Sequence, residues 1–150
     1  MRILVVGSGG REHALVWKLQ RSMRVQEIVC APGNGGIESE VRCIAVSPLD
    51  QDALLDVVRR ERIDMVVVGP EAPLAAGLAD TLRAHNIAVV GPGKAAARLE
   101  SSKVFAKEFM ARHGIPTAAF TIHSDPEEAL GRLDSEETAY PVVVKCNLSW

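Results

Sequence analysis

No apolar run in the chain approaches the roughly 18 residues that a membrane span requires, and the chain opens directly on a strand-like pattern. Neither a transmembrane segment nor a signal peptide is therefore expected. Cysteine is scarce: Cys30, Cys43 and Cys146 make an odd count with no CxxC pair. That argues against a disulfide framework and a structural zinc site, and free thiols suit the reducing cytoplasm. Cys30 and Cys43 lie in apolar runs and read as small core residues. An excess of charge is lacking as well, since 17 basic and 19 acidic residues leave a net charge of -2. Nothing general then attracts nucleic acid or an anionic membrane, and any anion site must be local. Internal repeats and low-complexity segments are not found.

What is present describes a soluble globular chain. Of its 150 residues, 47% are hydrophobic and 24% charged, enough to bury a core rather than stay disordered. Residues 1–6 form a continuous apolar strand pattern ending at Gly7, and residues 11–21 carry helical spacing through Ala14, Leu15, Trp17 and Leu19. Strands are predicted over 27–31, 42–46, 64–68 and 87–90, with helices over 50–62 and 74–85 between them. Strands apolar throughout are buried on both faces, as in a parallel sheet covered by helices. The alternation predicts a doubly wound α/β layer ending near Gly93. Residues 94–150 differ in character. A helix over 94–112 breaks near Ser101 and Ser102, strands are expected over 119–122 and 141–145, and a helix starts at Ser124-Asp125-Pro126 with Ser124 as its cap.

Three loops follow predicted strands, where open α/β sheets bind ligands. The first, Gly7-Ser8-Gly9-Gly10-Arg11-Glu12-His13, has glycines that admit close backbone approach, a helix start that attracts anions, and a cation in Arg11. The second is Pro32-Gly33-Asn34-Gly35-Gly36. The third, Gly69-Pro70-Glu71-Ala72-Pro73, holds Glu71 in an otherwise apolar turn, where it serves either a hydroxyl or amine of a bound sugar or only the helix dipole. A dinucleotide-binding oxidoreductase domain is the rival reading. Two features count against it: Glu12 stands where the third glycine of GxGxxG belongs, and Val29-Cys30-Ala31-Pro32 offers no acid for a ribose hydroxyl. A non-catalytic sugar-phosphate-binding module is the other alternative. Lys103, at a helix start, and Lys145, at a strand end, need water or an anion for their ammonium groups.

Taken together, VVGSGGREHAL at 5–15, APGNGG at 31–36, VVGPEAPLAAGLAD at 67–80 and LESSKVFAKEFMARHGIPTA at 99–118 resemble the amino-terminal part of the phosphoribosylamine–glycine ligase family. The resemblance implies a Rossmann-like substrate domain over 1–93, then linker helices and the beginning of an ATP-grasp domain over 94–150. It implies an ATP-dependent ligase of purine biosynthesis with small-molecule substrates, phosphoribosylamine and glycine, and no nucleic-acid or membrane partner. ATP and Mg2+ are the implied cofactors. Gly9, Gly10, Asn34 and Glu71 match loops facing the phosphoribosyl substrate, while Lys103 and Lys145 match lysines on ATP phosphates. The resemblance assigns no catalytic residue and no metal ligand within this chain. After Lys145 the family continues into an alanine–aspartate–glycine run and a glycine-rich loop, whereas this sequence reads Cys146-Asn147-Leu148-Ser149-Trp150. The departure points to a truncated or frame-shifted product, expected to be inactive alone.

Overall fold

The computed structural model describes residues 1–146, and the chain divides into two compact units, Met1–Ser101 and Ser102–Trp150. In the first unit, β1 (Arg2–Gly7), β2 (Glu27–Pro32), β3 (Arg42–Cys43), β4 (Met65–Val68) and β5 (Ala88–Val90) form one sheet in the order β3-β2-β1-β4-β5, every pair parallel. Side chains alternate across a strand, so β1 divides its residues between two cores. Leu4 and Val6 join Val66 and Val68 of β4 on one face, against Leu54, Leu55, Val57 and Val58 of α3 (Gln51–Arg60) and against Leu74, Leu78 and Leu82. Ile3 and Val5 face the other way, with Ile28 and Cys30 of β2, under Val16 of α1 (Gly10–Leu19) and Ile37 of α2 (Gly35–Glu38). Apolar residues on both faces explain why these strands read as unbroken hydrophobic runs.

Local chemistry sets the helix ends. Asp50 caps α3 by accepting from the Ala53 N–H at 3.0 Å. The predicted continuous helix over 74–85 is instead two: α4 (Glu71–Ala76) and α5 (Leu78–Ala84), parted at Gly77 with φ +102°. That left-handed conformation stops the first helix and favours glycine. β3 is shorter than its apolar pattern, 42–46, predicts. Helix α6 (Lys94–Ser101) closes the first unit, its Ala97 buried in the larger core and its Lys94 N–H held by Asp80 at 2.7 Å. The first compact unit includes α6, which packs with α4 and α5, and ends at Ser101.

Arg42 of β3 pairs with Glu61 beyond α3. The Arg42 guanidinium first, then Arg60, holds the Glu61 carboxyl below its ordinary value of 4.5. A carboxyl depressed by folding contributes stability that is fully present above its unfolded pKa and lost as pH falls through the folded one. The stability difference between wild type and Glu61→Gln should accordingly be greatest near neutrality and shrink below about pH 4.5. Urea titrations repeated from pH 7 to pH 3 measure it, and a difference constant with pH would refute the linkage.

The second unit contains α7 (Lys103–Arg112), capped by Ser102 through the Phe105 N–H at 3.2 Å, and α8 (Pro126–Leu133). The α8 cap is Asp125, which accepts from Glu127 and Glu128, rather than Ser124. Lys107 clasps the following chain, donating to Thr117 Oγ1 at 2.7 Å and the Ala118 carbonyl at 3.1 Å. The strands predicted over 119–122 and 141–145 are not formed, and Val143 and Val144 are exposed. Their β-branched sequence favours extended chain, but a strand also needs a neighbour to complete its hydrogen-bond ladder. Among the described residues no helix is long and apolar enough to cross a membrane.

Candidate functional site

The strand order reverses between β1 and β4, the switch point at which a doubly wound sheet opens a crevice beyond its carboxyl ends. The three loops singled out above surround that point. Gly9 is the N-cap residue of α1, and the Glu12 carboxylate turns back to accept its N–H at 2.7 Å through Oε2. The other oxygen, Oε1, accepts from Arg11 Nε at 2.9 Å. Glu12 is only 3% exposed, and it is buried because glycines make room for it. A Cβ on Gly69 would lie 2.0 Å from Glu12 Oε1, and one on Gly7 would lie 2.6 Å from its Cγ. The carboxylate therefore fills a cleft between the first and third loops.

Arg11 extends outward from that anchor, its side chain more than half exposed and its Nη2 3.8 Å from Glu71 Oε2. Its guanidinium pKa is raised by the hydrogen bond to Glu12 above all, against desolvation, with the Glu71 and Glu100 carboxylates adding to the rise. Glu71 is the first residue of α4, where the helix dipole also favours a carboxylate. The Gly10 and Arg11 amides are first in α1 and lack acceptors within the helix. A Cβ on Gly10 would meet nothing within 4 Å, so this backbone is open above.

Asn34 ties the second loop to the first. Its Nδ2 donates to the Ser8 carbonyl at 2.7 Å, and its Oδ1 accepts from the Gly36 and Ile37 amides at 2.9 and 3.0 Å, capping α2. All of its polar side-chain atoms are engaged in the protein, so it shapes the loop. His13 supports the same loop: its ring lies where a Gly36 Cβ would come within 2.9 Å, and its Nε2 is 2.8 Å from Glu40 Oε1.

Gly9, Gly10, Asn34 and Glu71 are thus brought to one edge of the sheet. Lys103 and Lys145 belong to the second unit, Lys103 as the exposed first residue of α7 and Lys145 in exposed chain without a ladder partner. Among the described residues no group of three or more His, Cys, Asp or Glu side chains could hold a metal ion. Sequence reasoning treats Glu12 only as a misplaced glycine and overlooks its central position. The signal was there: Gly9-x-x-Glu12 has the spacing of a capping box, in which the N3 carboxylate reaches back to the N-cap amide.

The fold and these loops define a Rossmann-like α/β domain that presents backbone amides, a cation and a carboxylate at its switch point. The family profile for "Phosphoribosylglycinamide synthetase, N domain" matches residues 1–100, and the chain belongs to that family. It is 50% identical over 149 residues to the phosphoribosylamine–glycine ligase of Xylella fastidiosa, an alignment covering 98% of this chain and 34% of that protein. The chain therefore spans about a third of the length of the curated relatives it matches. Among solved structures it is similar to the phosphoribosylamine–glycine ligase of Thermotoga maritima, with TM-score 0.63 and 30% identity over 89% of this chain and 30% of that one. It also resembles the biotin carboxylase domain of the Hydrogenobacter thermophilus 2-oxoglutarate carboxylase, determined with MgADP and bicarbonate. There the TM-score is 0.65 and identity 25%, over 93% of this chain and 33% of that one.

Proposed function

We propose that this chain is the phosphoribosylamine-holding part of an ATP-dependent carbon–nitrogen ligase that joins glycine to 5-phosphoribosylamine in cytoplasmic purine synthesis. The observation that carries the reading is the convergence of the Gly9–Gly10 helix start, the Arg11 guanidinium and the Glu71 carboxylate at the sheet's switch point. A sugar phosphate matches that set. Its phosphate meets open helix amides and a cation, while its hydroxyls or amine meet a carboxylate acceptor. Glu12 holds Arg11 in place from beneath.

In the overall reaction a glycine carboxylate oxygen attacks the terminal phosphorus of ATP, giving glycyl phosphate and ADP. The phosphoribosylamine nitrogen then attacks the acyl carbon, and phosphate leaves as the amide forms and the nitrogen loses a proton. This chain's share of the reaction is the binding and orientation of the sugar phosphate. Residues 94–150 are read as linker helices and the start of an ATP-grasp unit, in which Lys103 and Lys145 would contact ATP phosphates. The family resemblance and the likeness to a MgADP-bound biotin carboxylase domain support that assignment. Among the described residues no cluster of His, Cys, Asp or Glu is suited to hold magnesium.

Ribose 5-phosphate, which carries a hydroxyl in place of the amine, is a stable probe. Calorimetric titration of the full chain should show saturable binding, weakened about tenfold by Arg11→Ala. Gly10→Ala provides a variant that should fold normally, because its Cβ meets no neighbour, yet it should lower affinity by narrowing the cradle. NADH should give no saturable fluorescence change. Absence of ribose 5-phosphate binding to the wild-type chain would sink the reading, and micromolar NADH binding would revive the dinucleotide alternative.

A further inference from the structure

Cys30 and Cys43 take no part in the site described above. They are Cα partners in the parallel β2–β3 pair. Side chains of such partners leave the same face of a sheet, with neighbouring strands about 4.8 Å apart, inside the Cα range that disulfides span. Both thiols lie on the face packed by α1 and α2, Cys30 fully buried and donating to the Gly7 carbonyl at 3.5 Å, Cys43 partly buried and donating to the Val41 carbonyl at 3.8 Å. The second loop rests directly on them. A Cβ on Gly33 would fall 2.3 Å from Cys43 Sγ and 3.6 Å from Cys30 Cβ. Gly33, at φ +74°, is confined by its conformation and by this sulfur alike.

We propose that Cys30 and Cys43 are an oxidisable dithiol that closes to an intramolecular disulfide in the presence of a peroxide, and that closure reshapes the Gly33–Asn34 segment. Cys43, the more accessible thiol, attacks a peroxide oxygen as the thiolate. The O–O bond breaks, water leaves, and a sulfenic acid remains on Cys43. Cys30 sulfur then displaces that hydroxyl as a second water, so two thiols lose two electrons and two protons to one peroxide. Burial pushes the Cys30 thiol up to about 12 and raises that of Cys43, which keeps the thiolate fraction low and the reaction slow. Forming the S–S bond draws the Cys43 sulfur off the Val41 carbonyl and shifts it beneath Gly33, the neighbour of Asn34, whose side chain joins the first two loops. Transient disulfides of this kind serve as redox sensors in reducing compartments.

The test uses the full chain carrying Cys146→Ser, which removes the exposed thiol and with it intermolecular coupling. After hydrogen peroxide, the protein is denatured and alkylated. The expected product is lighter by two hydrogens, takes up no alkyl group, links tryptic peptides 25–42 and 43–59, and reverts with dithiothreitol. Two alkylatable thiols after oxidation, or oxygen added without linkage, would overturn the dithiol. Its effect on ligand rests on the proposed function: ribose 5-phosphate should bind several-fold more weakly to the oxidised form. Linkage with unchanged affinity would overturn the coupling. A reduced protein that binds no ribose 5-phosphate would defeat the functional reading instead, while the thiol count still decides the site.

Discussion

Glu12→Ala is expected to destabilise the first unit by about 2–3 kcal/mol, measured by urea denaturation followed by circular dichroism. The substitution removes the acceptor for the Gly9 N–H, which then begins α1 unsatisfied, and it empties a buried cleft. Arg11 loses its anchor but not its hydration, since its guanidinium is largely exposed. The cost is therefore set by the cap and the cavity, not by a stranded charge. A loss below about 0.5 kcal/mol, typical of a surface change, would show that the carboxylate is not integral to the loop.

Gly69→Ala should cost a similar amount, about 2–3 kcal/mol, for the opposite reason. Its new methyl would sit 2.0 Å from Glu12 Oε1 and 2.5 Å from Glu12 Cδ, in space already filled. All three of its nearest neighbours are Glu12 side-chain atoms, so the two substitutions must be coupled. In a Glu12→Ala background Gly69→Ala should be nearly neutral, within about 0.5 kcal/mol. Gly7→Ala supplies the contrast, because its φ of +132° remains strained whatever stands at position 12. Additive costs for Glu12 and Gly69 would mean that some other contact confines Gly69.

Much of the fold was legible because its signals are local. Val66, Val67 and Val68 announce a buried parallel strand by their neighbours alone, and Asp50 and Ser102 cap the helices that follow them. Gly9, Gly10, Asn34 and Glu71 could be placed together because each follows a recognisable strand, and a parallel sheet carries all such loops to one edge. Gly77 was harder: a glycine within a helical pattern is often tolerated, and only its φ shows that the helix ends there. For Glu12 the capping-box spacing signalled the contact with the Gly9 amide, but the burial of the carboxylate was not legible. Its burial depends on Gly69, which is near in space and distant along the chain. The apolar stretch Val142-Val143-Val144 shows the limit of propensity, for a strand is a relation between two segments and neither residue type nor spacing supplies the second.

The central position of β1 governs how the first unit can be assembled during synthesis. As the first of the five strands to be synthesised, it can acquire β2 and β3 on one side before β4 and β5 dock on its open flank. Each strand in order of emergence adds at a free edge, so none has to wedge between two already joined. The sheet can grow outward at the pace of translation, and its middle strand is the one that has waited longest.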